Sequence, residues 1–163
     1  MTARSMLVVR QPRERLRAAL VERTWELARF LDEIESAELV GQGPSGSKLR
    51  SATHVWRAKA SVPALLAPHI DSDYLSWTAE VRWNEDDFGS RWRIEPHALR
   101  ESLSCSADVA LSEAMGGRAT RVAVAIEFHG LDNRRGVETI AYRIVQVNWQ
   151  KLVEAAVRKL AEE

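Results

Sequence analysis

The apolar positions of this chain keep two different periods: every second residue through the middle, and near every 3.6 residues on either side. The first run, SMLVVR (5–10), predicts a short strand. In the next segment, QPRERLRAALVERTWELARFLDEIES, Pro12 suits a first helical turn, where its missing N–H has no partner to lose. Leu16, Leu20, Leu27, Leu31 and Ile34 then recur at helical spacing, joined by Ala19 and Phe30. This predicts one helix or two short ones, with a break near 22–24 and Thr24 as a candidate N-cap of the second.

SAELVGQGPSGSKLRSATHVWRAKA predicts strand, turn and strand around Gly43-Pro44-Ser45-Gly46. Residues 61–73 (SVPALLAPHIDSD) form an apolar stretch with two prolines and no clear period. Alternation then sets in. Leu75, Trp77, Ala79, Val81 and Trp83 share a face, as do Trp92 and Ile94. Leu103, Cys105, Ala107, Val109 and Leu111 alternate with serines and Asp108. Val122, Val124, Ile126 and Phe128 alternate with Arg121, Ala123, Ala125 and Glu127. One dry and one wet face predict an antiparallel sheet. NEDDFG and MGG supply turns. The closing segment, from Asp132 or Asn133 as cap, is a long helix. Ile140, Ala141, Ile144, Val145, Leu152, Ala155 and Ala156 lie on one arc, opposite Thr139, Arg143, Gln146, Gln150 and Glu154.

The stretch LSWTAEVRWNEDDFGSRWRIEP (75–96) mixes three tryptophans with three arginines. Pairing Trp83 with Ser90 across the turn sets Val81 against Trp92, Ala79 against Ile94 and Trp77 against Pro96. On the other face Glu80 meets Arg93, a candidate ion pair, and Arg82 meets Arg91. A surface for single-stranded nucleic acid needs aromatics and cations together, and this register parts them. Composition agrees. The 23 basic and 23 acidic side chains cancel, without the basic excess of a nucleic-acid binder. No nucleic-acid partner is expected. Arginine supplies all but four of the basic residues (Lys48, Lys59, Lys151, Lys159), which reads as a compositional bias without function.

The length fits one domain, 1–163, and 45% hydrophobic with 28% charged residues fits a globular, soluble chain. No run is long enough to span a membrane, and MTARSMLVVRQPRER does not read as a signal peptide. A single cysteine, Cys105, excludes an intramolecular disulfide framework and suits a reducing cytoplasm.

A strand, short helices, about six antiparallel strands and a long final helix make an α+β chain whose helix must cover the sheet's apolar face. In this order, and in YLSWTAEVRW, SRWRIEP and GGRATRVAVAIEFHG, the whole chain resembles the helix-grip superfamily. Its members include START domains, polyketide cyclases and dehydrases, coenzyme-Q-binding proteins and the birch-pollen-allergen fold. The resemblance implies a curved sheet of about seven strands wrapped around the C-terminal helix. It also implies a small hydrophobic ligand, such as a lipid, quinone or polyketide, held between them.

Candidate ligand-lining residues are Trp77, Trp83 and Trp92, with His54, Trp56, Cys105, Phe128, Ile144 and Asn148; Trp25 is a weaker one. The indoles either wall a pocket beside the small Cys105 and Ala107 or interlock as core. Asn148, on the apolar arc, either orients a ligand or makes a structural hydrogen bond, and Tyr142 sits at that arc's edge. His54, His69, His97 and His129 lack metal-site spacing, and neither a metal nor a cofactor is expected. No catalytic signature is present, and Cys105 has no basic neighbour to activate it. A carrier or sensor is therefore the first reading. The alternatives are a cyclase or dehydrase using Asn148, His54 and Tyr142, and an interaction module contacting a protein or membrane through 61–73.

Overall fold

A computed structural model of the chain describes residues 2–44, 46, 48–59, 76–97, 104–129 and 137–163; the side chains of 2, 3 and 137–148 lie outside that description. The strands are β1 (Thr2–Val9), β2 (Ile34–Pro44), β3 (Leu49–Ala58), β4 (Ser76–Asn84), β5 (Gly89–Pro96), β6 (Ser104–Ala114) and β7 (Ala119–His129). They form one seven-stranded sheet in the order β1-β7-β6-β5-β4-β3-β2, every neighbour antiparallel. Helix α1 (Arg13–Arg17), a π-helical turn (Ala18–Glu22) and a 3-10 helix (Thr24–Phe30) come after β1, and α2 (Val137–Glu162) closes the chain. This is the helix-grip α+β fold.

The first helical segment is broken at Arg23 (φ −134°, ψ 42°), where the pattern predicted. Thr24 does not cap the 3-10 helix. Its hydroxyl donates backward to the carbonyls of Leu20 and Val21, a local bond that competes with the helix ladder and closes the π turn. Helical spacing also ran too far, since Ile34 is the first residue of β2. Leu16, Ala19, Leu20 and Leu27 are fully buried, as their spacing implied.

In the β4–β5 hairpin Trp83 pairs with Ser90, Val81 with Trp92, Ala79 with Ile94 and Trp77 with Pro96, as the alternation predicted. The turn is held by Asn84 Oδ1 accepting from Asp86 N (2.9 Å) and Asp87 Oδ1 accepting from Gly89 N (3.0 Å). Glu80 does face Arg93, but they are not the ion pair. Glu80 binds Arg82 at 2.7 Å and Arg93 binds Glu95 at 2.6 Å. Residues two apart on one strand share a face, so each arginine finds a carboxylate on its own strand. Between β6 and β7, Met115, Gly116 and Gly117 all take positive φ (53°, 69° and 88°), a turn that two glycines make cheap.

The final half of α2 is clamped onto the first helical segment. Trp149, Val153, Ala155, Ala156 and Leu160 are buried. Lys159 is buried too and pairs with Glu26 of the 3-10 helix. Around them Lys151 binds Glu33 (2.6 Å), Arg29 binds Glu162 (3.2 Å), and Arg15 donates to the Leu160 carbonyl (3.3 Å). The expected cap at 132–133 and the apolar stretch 61–73 fall outside the described residues.

Candidate functional site

Strand register arranges the inner face in rows running across the sheet. One row is Ala52, Val81, Trp92, Ala107 and Ile126; the next is His54, Ala79, Ile94, Cys105 and Phe128; a third is Trp56, Trp77 and Pro96. The alternation of each strand sends these side chains inward and Arg82, Arg91 and Arg93 outward, where all three are exposed. Cations and indoles therefore occupy opposite faces.

Burial falls along the strands, from row to row. Toward the β4–β5 turn Val81, Val109 and Val122 are 0–1% exposed and share one core with Leu16 of α1 and Leu20 of the π turn. Toward the other end Trp77, Ile94, Pro96 and Phe128 are only half-buried although they face inward. The small side chains Ala52, Ala79, Cys105 and Ala107 lie among the indoles. Among the described residues, this part of the face mixes small side chains with large ones.

Two aromatic groups bracket the small residues. Trp92 meets Trp149 of α2 edge to face, centroids 5.7 Å apart, a geometry that adds ~0.5–1.5 kcal/mol beyond area burial. The Trp92 indole N–H donates to Ser90 Oγ at 2.9 Å. In the other group Trp56 stacks on Trp77 (6.3 Å, 3° between planes), and His54 lies between Trp56 (5.8 Å) and Trp25 of the 3-10 helix (5.9 Å). The indole N–H of Trp56 donates to His54 Nδ1 at 2.7 Å.

That bond sets the chemistry of His54. An indole nitrogen only donates, so Nδ1 accepts and the neutral ring carries its proton on Nε2. Burial pushes the imidazole down from its ordinary 6.5 to about 4. His54 Nε2 and Trp149 Nε1 are buried without a hydrogen-bond partner among the described residues. Both are N–H donors, and leaving each unsatisfied costs ~1–3 kcal/mol.

Cys105 is buried, and burial pushes its thiol up to about 11, a poor nucleophile at neutral pH. His97 is held by the Ser76 and Thr78 hydroxyls (2.8 and 2.7 Å), and His129 lies on the outer face against Ser106 (3.1 Å). No group of three or more metal-ligating side chains occurs among the described residues. An open depression of about 940 Å³ lies on the outer face, floored by Ala110, Ala123 and Ala125. Arg82 and Arg91 on its rim are already paired, with Glu80 and Asp108. It is a dish floored by small outward residues, and Trp83 is the one tryptophan among the residues that line it.

Of the residues predicted to line a site, His54, Trp56, Trp77, Trp83, Trp92, Cys105 and Phe128 all face inward. Trp83 sits in the packed end, 6% exposed. The side chains of Ile144 and Asn148, and of Tyr142, are outside the described part of α2. Trp149 was missed. It lies four residues after Val145 and four before Val153, on the same arc, and that spacing was the available signal.

No family model matches the chain, and no curated protein is near enough in sequence to count as a match. Solved structures share its fold. TTHA0849 from Thermus thermophilus is 17% identical over 100% of this chain and 99% of its own, with a TM-score of 0.71. Ara h 8.0201 is 17% identical over 100% and 99%, with a TM-score of 0.69. An uncharacterized protein from Bacillus thuringiensis is 12% identical over 96% and 99%, with a TM-score of 0.58. The resemblance drawn from the sequence holds at the level of the fold. No helix among the described residues is long and apolar enough to cross a membrane.

Proposed function

We propose that this chain is a cytoplasmic carrier or sensor that holds a small hydrophobic molecule between the inner face of its sheet and α2. The observation that carries this is the falling burial along the inner face, where small residues separate large ones and Trp77, Ile94 and Phe128 are only half-buried. Ligand sites of this kind are largely apolar with a few placed polar groups. The fold it shares with Ara h 8.0201 adds weight, because the helix-grip superfamily commonly uses this space for ligands.

The experiment is native mass spectrometry of freshly purified protein, with solvent extraction of whatever accompanies it. Titration with lipids, quinones and polyketides should then quench tryptophan fluorescence, and Trp77→Ala should weaken both binding and quenching. Spectra unmoved across the whole panel would overturn the reading. A cyclase or dehydrase needs two convergent polar groups. Of its nominees only His54 has a described side chain, and its neutral Nε2–H is a donor, unable to take a proton.

A further inference from the structure

The described inner surface has an asymmetry that bears on what it binds. Its unpartnered polar atoms, His54 Nε2 and Trp149 Nε1, are donors in both cases. His54 is the better placed. It is 0% exposed, and its ring is oriented by the Trp56 N–H on Nδ1. Nε2 is the ring nitrogen remote from the backbone, so on an inward-facing residue it points off the sheet. Trp25 of the 3-10 helix is tilted 43° to the imidazole, with ring centroids 5.9 Å apart. Along its own row His54 is followed by the small Ala79.

Resting on the ligand-carrier reading above, we infer that His54 is the polar anchor of the site: its Nε2–H donates to an oxygen acceptor, a carbonyl first of all, on an otherwise apolar ligand. The selection has a physical basis. A buried donor left unpaired by a hydrocarbon keeps its desolvation cost, whereas a carbonyl oxygen removes it. A ligand presenting only a donor, such as an indole or pyrrole N–H, would meet N–H against N–H and be rejected. Trp56 acts through His54. It is a positioning residue that holds the tautomer and touches no acceptor itself.

The test compares matched pairs that differ in one carbonyl: 9-fluorenone with fluorene, anthrone with 9,10-dihydroanthracene, and cyclododecanone with cyclododecane. Affinities are measured by calorimetry for the wild type, His54→Phe and His54→Gln. The ratio of ketone to hydrocarbon affinity should be on the order of tenfold higher in the wild type than in His54→Phe. His54→Gln, which keeps an amide N–H, should recover part of that ratio. A second readout needs no variant. In 15N-labelled wild-type protein the imidazole Nε2–H proton should move on adding the ketone and stay in place on adding the hydrocarbon.

Equal ratios in wild type and His54→Phe, or an Nε2–H signal indifferent to the ketone, overturn the anchor while leaving the carrier intact; a buried water as the only partner of Nε2 gives that result. Failure of every member of all three pairs to bind the wild type overturns the carrier reading and the anchor with it.

Discussion

The two ends of the inner face share the same strands and differ in what covers them. Toward the β4–β5 turn, Leu16, Leu20 and Val21 of the first helical segment share one buried core with Val81, Val109 and Val122, and all six are 0–1% exposed. Toward the other end, Trp56, Trp77, Ile94 and Phe128 surround Ala79 and Cys105, and three of those four large residues remain half-buried. One end is close-packed core, where every methylene has neighbours. The other sets large rings around small side chains. The sheet thus supplies stability and a candidate binding surface from one alternating pattern, separated along the strands.

The comparison can be broken at either end. The largest effect is expected from Leu20→Ala, which empties a fully buried position of the packed end. It should cost about 3–5 kcal/mol in denaturant unfolding. A loss under about 1 kcal/mol would mean that this end is loose as well.

The next effect is pH dependence at the aromatic end. The His54 pKa is lowered to about 4 in the folded protein against an ordinary 6.5. Between those values the unfolded chain binds the proton and the folded chain does not, so its contribution is complete above pH 6.5. It is lost as pH falls toward 4, by about 3 kcal/mol in all. Urea midpoints measured from pH 8 to pH 4 should show this slope, and His54→Phe should flatten it. An equal slope in both proteins would place the titration elsewhere.

A smaller effect separates hollow from filled. Ala79→Leu should cost less than about 1 kcal/mol and abolish ligand binding if there is room beside His54. In a filled core the same change is overpacking and should cost ~1–3 kcal/mol. Smallest of all, Glu80→Gln removes the exposed pair with Arg82 and should stay within about 0.5 kcal/mol of wild type in thermal or urea unfolding.

Much of this architecture was legible in the residues. The β4–β5 register came from alternation plus a turn whose asparagine and aspartate bind their own backbone, both local signals. The helix break at Arg23 was legible too, but the role of Thr24 was not. A threonine beside a break can bond forward or backward, and only the backbone geometry selects. The Glu80 pairing failed for a related reason. Opposed residues and residues two apart on one strand are both within an arginine's reach. The Trp56–His54 bond was out of range because it depends on two ring orientations, which periodicity does not encode. Trp149 was within range, on the same arc as Val145 and Val153.

The hairpin register has a consequence for how the chain reaches this fold. Sliding β5 against β4 by one residue would turn every side chain of β5 over. Trp92 would go to water, and Arg91 and Arg93 would face the apolar layer, at several kcal/mol for each unpaired buried charge. The neighbouring pairings do not offer a halfway state, because a strand has no intermediate face to present. The chemical contrast between the two sides therefore acts as an error check: a wrong alignment carries the cost of buried arginines and an exposed indole, and the native one does not.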